Sequence, residues 1–108
     1  MKLARTLALV ASLAVPATVE AQELGDPGRG QLFAARICAE CHAVLPADTL
    51  SPRDKALPFT AIADTPGMTA MALHVWFRTP HPNMPNLILK PDDADDVVAY
   101  ILSLRQSK

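Results

Sequence analysis

Cys38 and Cys41 are the only cysteines of the 108-residue chain, and they stand three apart in the run CAECH with His42 directly after the second. Close cysteines serve a redox disulfide, a zinc site or the covalent attachment of haem. A zinc site usually takes four protein ligands, commonly from a second close pair of Cys or His. The remaining histidines, His74 and His81, are seven apart, which fits neither a finger nor a ribbon. A thioredoxin-like redox pair expects a strand ahead of it within a βαβ unit, whereas this pair closes a helical pattern. Cys-x-x-Cys-His is the spacing of c-type haem attachment. Two thiols at i and i+3 project from one side of a helical turn toward one edge of a porphyrin. His42 then brings its imidazole to the iron.

The other face of such an iron decides the chemistry. A thioether there raises the potential and a second imidazole lowers it, while an open position admits oxygen, nitric oxide or peroxide. The candidates are Met68, Met71, Met84, His74 and His81. Met84 sits in TPHPNMPN between Pro82 and Pro85, and prolines fix φ and stiffen a loop, so little entropy is lost when the sulfur is held in place. Met71 lies inside a helical pattern and Met68 just before it, which reads as core or haem-wall packing. His74 reads as an ordinary helix histidine. His81, between Pro80 and Pro82, reads as solvated and as a lesser competitor to Met84. Trp76 and Arg78 offer the indole N–H and guanidinium donors that a haem propionate needs.

These residues must be positioned by a small scaffold. MKLARTLALVASLAVPATVEA opens with Lys2 and Arg5, continues through an apolar run from Leu7 to Val15 and ends in V-E-A. That is the pattern of a secretory signal peptide over residues 1–21, too short and too interrupted by Pro16 for a membrane span. The mature chain, 22–108, then carries 8 basic and 10 acidic residues, a net charge of −2 with histidine neutral, which excludes a nucleic-acid binder on charge grounds. At about 87 residues it is in the range where a core alone gives marginal stability, and a three-apart disulfide would restrain little of it. A cofactor at the centre would supply the missing core.

Three segments read as main helices. The first runs from Pro27 to Ala39, capped by Asp26, with Leu32, Phe33, Arg36 and Ile37 along one side. The second spans Thr69 to Thr79, capped by Thr69 and stopped by Pro80 and Pro82. The third runs from Pro91 to Gln106, with Asp92, Asp93, Asp95 and Asp96 near its start and Arg105 and Lys108 near its end, all matched to the helix dipole. Its apolar residues Ala94, Val97, Val98, Ile101, Leu102 and Leu104 recur at three and four. Residues 59–64 form a further short helix in this reading, and no segment reads as a strand. The stretch from Ala43 to Pro58 carries Pro46, Pro52 and Pro58 without a hydrophobic period, which suits a loop wrapped around a large flat apolar ligand.

A helix running into CxxCH, a Pro-rich loop, a middle helix, a proline-flanked methionine and a C-terminal helix resemble a small bacterial class I cytochrome c from about Gly25 to Arg105. The resemblance implies an all-α, cytochrome c-like fold, with three main helices and a Pro-rich loop around one covalently bound haem c. It implies thioether links at Cys38 and Cys41, His42 as proximal iron ligand and Met84 as distal ligand. It further implies a close crossing of first and last helices, where Gly30 and Phe33 meet Tyr100 and Ile101. A proline carbonyl commonly receives the proximal histidine N–H, and Pro52 could serve. The chain departs from the family's lysine-ring docking pattern, since the mature part holds only Lys55, Lys90 and Lys108.

The function expected is that of a periplasmic, non-enzymatic, one-electron carrier between a respiratory complex or dehydrogenase and an oxidase or reductase. Its partners are redox proteins, met as a monomer or in transient complexes. The alternatives are a gas-binding or sensing haem protein and a haem subunit of a larger dehydrogenase.

Overall fold

The computed structural model of the chain describes Ala14, residues 24–85 and residues 87–106. Apart from Ala14, the signal peptide expected over residues 1–21 lies outside the described residues, as does Lys108. The described residues form four helices: α1 (Pro27–Ile37), α2 (Phe59–Ala63), α3 (Ala70–Arg78) and α4 (Pro91–Ser103). Among them the β-type pairing is a single isolated bridge between His81 and Met84. The fold is all-α, and no helix of the described residues is long and apolar enough to cross a membrane.

Local chemistry sets the helix starts. The Asp26 side chain accepts the Arg29 N–H at 2.8 Å ahead of Pro27, and Thr69 Oγ1 accepts the Ala72 N–H at 3.1 Å. Each side chain satisfies an amide that the first helical turn leaves without a partner. Pro91 opens α4, with Asp92 and Asp93 in its first turn, where carboxylates favour the positive end of the dipole.

Two helices end earlier than their sequence pattern suggests. α1 stops at Ile37 instead of Ala39, because the Ala39 amide leaves the helical ladder and shares the Ala34 carbonyl with the amide of Cys38, the last regular bond of the helix. α4 stops at Ser103 instead of Gln106, where Leu104 and Arg105 close tighter turns onto Ile101 and Leu102. Arg105 does not serve the α4 dipole as expected. Its guanidinium donates to the carbonyls of Ala63 at 3.3 Å and Met68 at 2.6 Å, binding the end of α4 to the last residue of α2 and the turn that follows it.

α4 is the element on which the other helices pack, most extensively α1. Its apolar period is buried as expected: Val97, Val98, Tyr100, Ile101 and Leu104 join Ala34, Val44, Phe59, Ala63 and Leu73 in one cluster. The buried side of α1 differs from the expected one. Gly30 and Ala34 are buried and Phe33 packs on the cluster, whereas Leu32 is 67% exposed and Ile37 is exposed too. The reason is the crossing at Gly30. A Cβ there would lie 2.0 Å from the Asp96 carbonyl oxygen and 2.8 Å from Tyr100 Cβ, so the two backbones approach through Gly30 itself. At about 100° per residue, Leu32 is then turned away from α4.

The acidic start of α4 is more than dipole capping. Asp96 is buried and accepts the Asp26 N–H at 2.7 Å and the Arg29 guanidinium at 2.8 and 3.0 Å. Asp95 Oδ1 meets His74 Nε2 of α3 at 3.1 Å. Half of the aspartate cluster therefore fastens α4 to α1 and α3.

Candidate functional site

The CAECH run forms a turn directly after α1. The amides of Cys41 and His42 both donate to the Cys38 carbonyl, at 3.2 and 2.9 Å, so the helical sense continues through the motif. Cys38 and Cys41 carry free thiols, both half-buried. Burial pushes the Cys38 thiol up to about 11, the direction expected of a sulfur set against apolar surroundings.

His42 is oriented by the far end of the Pro-rich loop. Its Nδ1 lies 2.6 Å from the Leu57 carbonyl oxygen. A carbonyl can only accept, so Nδ1 carries the proton and Nε2 keeps its lone pair for a metal. The Phe59 ring packs beside the imidazole, 5.6 Å between centroids and tilted by 52°. Leu57, and not Pro52, supplies the acceptor. Leu57 precedes Pro58, and a residue before proline is held extended.

The loop also clasps the backbone around His42. Ser51 Oγ accepts the Ala43 N–H at 3.0 Å, the Arg53 N–H donates to Cys41 at 3.2 Å, and the Phe59 N–H donates to Ala43 at 2.9 Å. Tyr100 adds a fourth tie, its hydroxyl donating to the Val44 carbonyl at 2.5 Å. The 43–58 stretch, without a hydrophobic period of its own, is thus ordered by polar contacts to the motif.

Met84 stands at the end of a tight turn. Its N–H reaches the His81 carbonyl at 3.4 Å, and Asn83 adopts φ 67°. Proline second and a positive φ third are the marks of a type II turn, and asparagine tolerates that conformation better than most side chains. Met84, Trp76 and Arg78 line one cleft of about 450 Å³, together with His74, Phe77 and His81, a size within the usual range for ligand sites. His42 lines a separate groove with Ala39, Val44, Leu45, Leu50 and Pro52. The chain's atoms therefore bring the two candidate ligands to different clefts and do not themselves join them.

Several sequence expectations change here. Met71 is 77% exposed, so it is not packed in the protein core, while Met68 packs against the core as expected. Trp76 is 53% exposed while its neighbour Phe77 reaches the core. His81 is not simply solvated: its ring stacks on Trp76 at 3.5 Å between centroids, and Nε2 lies 3.0 Å from the Trp76 carbonyl oxygen. His74 is tied to Asp95. Of the rival iron ligands, then, both histidines already have a partner for Nε2.

The donor set suits haem c. Two free thiols sit three apart on one helical turn, an imidazole directly after them presents Nε2, and apolar side chains line both clefts. The cytochrome c family model matches residues 28–105. Over 93 residues the chain is 34% identical to "Cytochrome c-552" of Bradyrhizobium diazoefficiens, an overlap that covers 86% of this chain and 88% of that protein. No solved structure matches the chain at comparable significance.

Proposed function

The chain belongs to the cytochrome c family, whose cofactor is covalent haem c with its iron, and from that premise we propose that it is a periplasmic one-electron carrier with His/Met ligation. Residues 1–21 are its cleaved signal peptide and 22–108 its mature domain. Cys38 and Cys41 hold the porphyrin edge as thioethers, His42 Nε2 is the proximal ligand and Met84 sulfur the distal one. Trp76 and Arg78, which line the cleft beside Met84, donate to a propionate. Bound haem c supplies the one-electron couple of its iron, and the protein sets the potential and the access.

The observation that carries the reading is the hydrogen bond from His42 Nδ1 to the Leu57 carbonyl. It fixes the tautomer that coordinates through Nε2, raises the basicity of that nitrogen and holds the ring plane, as outer partners of metal-bound histidines do. Met84 is supported as the sixth ligand by the proline-braced turn that ends on it, since a stiff ligand keeps its geometry when the oxidation state changes. A carrier of this kind does no bond chemistry. It passes electrons between a respiratory complex or dehydrogenase and an oxidase or reductase, docking without a lysine ring.

The test is the optical spectrum of the mature protein matured with its haem, oxidised and reduced. The oxidised wild type is expected to show the weak long-wavelength sulfur-to-iron charge-transfer band, and Met84→Ala to lose it. A high-spin iron that binds carbon monoxide or cyanide at once would overturn the carrier reading in favour of a sensor.

A further inference from the structure

We infer that His81 is a positioning residue for Met84: it clamps the turn that presents the sulfur onto α3 by stacking on Trp76 and bonding the Trp76 carbonyl. The inference rests on the proposed ligation by Met84 and adds a residue outside the ligand set.

Three contacts converge on His81. Its imidazole lies parallel to the indole of Trp76, 3.5 Å between centroids and 10° between planes. Its Nε2 stands 3.0 Å from the Trp76 carbonyl oxygen. That oxygen also accepts the Thr79 N–H at 3.2 Å, at the point where α3 ends before Pro80. Because a carbonyl accepts, Nε2 is the protonated nitrogen. Third, the His81 carbonyl receives the Met84 N–H at 3.4 Å, so the same residue that is bolted to the helix is also the first residue of the turn.

A turn of this kind is stiff within itself, since Pro82 fixes one φ and Asn83 sits in the left-handed region. Stiffness inside the turn does not place it against the rest of the protein. Pro80 and Pro85 lack amides to donate, so the segment has few backbone means of docking on α3. The side chain of His81 supplies that docking. The planar stack restricts rotation of the ring, and the hydrogen bond restricts its slide along the indole. Removing the clamp leaves the turn intact but free to swing away, which lowers the effective concentration of the sulfur at its target.

The consequence is a competition that can be read directly. An external ligand binds the oxidised iron only when Met84 has left, so its apparent affinity reports the open fraction. The experiment titrates the holoprotein with imidazole, following loss of the sulfur-to-iron band, for wild type, His81→Ala and His81→Phe. His81→Ala is expected to bind imidazole about tenfold more tightly, the factor that about 1.4 kcal/mol of lost anchoring gives. His81→Phe keeps a ring for the stack without the N–H donor and is expected to fall between. In His81→Ala the band should also fade on heating well before the helix signal, whereas a merely structural role would move both together. Wild-type imidazole affinity in both variants overturns the clamp while leaving Met84 ligation in place. A wild type with no sulfur-to-iron band overturns Met84 ligation itself, and the clamp with it.

Discussion

Arg29 Nε lies 2.8 Å from Asp96 Oδ2, and the same carboxylate takes the backbone N–H of Asp26 at 2.7 Å. One side chain near the start of the last helix thus closes the start of the first, across some of the longest sequence separations in the chain. The Arg29 hydrogen bond, and after it the one from the Asp26 amide, hold the Asp96 carboxyl below the usual carboxylate range. A lowered folded-state pKa means that the stabilisation is complete above the unfolded value of about 3.9 and fades as pH falls through the folded value. Asp96→Asn should lose about 1 kcal/mol at pH 7, the scale of a charge-assisted bond discounted for the solvent-exposed Arg29 guanidinium. The gap between wild type and variant in urea unfolding should close toward pH 2. An equal gap at both pH values would show that the charge of Asp96 is not what matters.

Gly30 makes a second helix-crossing prediction. A methyl group there meets backbone atoms of Asp96, which cannot swing aside as a side chain can. Gly30→Ala should therefore destabilise by about 3 kcal/mol, at the upper end of ordinary overpacking, seen as a lowered thermal midpoint. Gly28→Ala is the control. Its Cβ would meet only the Asp26 carboxylate at 3.1 Å, so the change should stay within about 1 kcal/mol, partly offset by better helix propensity.

Tyr100 couples the same helix to the motif from the other side. Its buried hydroxyl donates to Val44 at 2.5 Å, and its ring lies 6.3 Å from that of Phe59. Tyr100→Phe keeps the ring and leaves a buried carbonyl without its donor, an expected loss of about 1–2 kcal/mol. Burial, and then the nearby Asp48 carboxylate, push the phenol above its ordinary value. The neutral form is the one the fold prefers, so the contribution of Tyr100 to stability is complete below pH of about 10 and is lost as pH rises through the folded value. Thermal unfolding from pH 8 to pH 11 should decline more steeply for wild type than for Tyr100→Phe.

The sequence makes some of this structure legible and hides the rest for physical reasons. Helices, caps and the apolar face of α4 are readable because they depend on residues three or four apart. Asp26, Thr69 and Pro91 act where their types predict. The motif and the Met84 loop are readable because their chemistry is local too. Asp96 is not, since a buried carboxylate and a capping one look alike until Arg29 is known to face it. The apolar pattern misplaces Leu32 because periodicity within α1 does not mark Gly30 as the contact point, which the family resemblance implies and the crossing bears out. The Leu57 acceptor and the Ser51 contact belong to a loop without periodicity, where a carbonyl or hydroxyl can turn either way. Pro58 is the available signal for the first, and the second leaves none.

Ser51 provides the last prediction, on the loop that holds the motif. Its Oγ accepts the Ala43 N–H at 3.0 Å, and Ala43 is buried one residue after His42. Water cannot readily replace the hydroxyl there, so Ser51→Ala leaves an amide without an acceptor, at about 1–3 kcal/mol. Because Arg53, Leu57 and Phe59 grip neighbouring backbone and ring atoms, the loss should loosen the whole clasp and not one bond alone. Hydrogen exchange of the holoprotein gives the readout. The amides of Ala43, Arg53 and Phe59 should exchange faster together in Ser51→Ala, while those of α1 and α4 keep their protection. Ser51→Thr, which retains the hydroxyl, should restore the slow exchange. If only the Ala43 amide responds, the loop contacts act independently, and His42 owes its orientation to Leu57 and Phe59 alone.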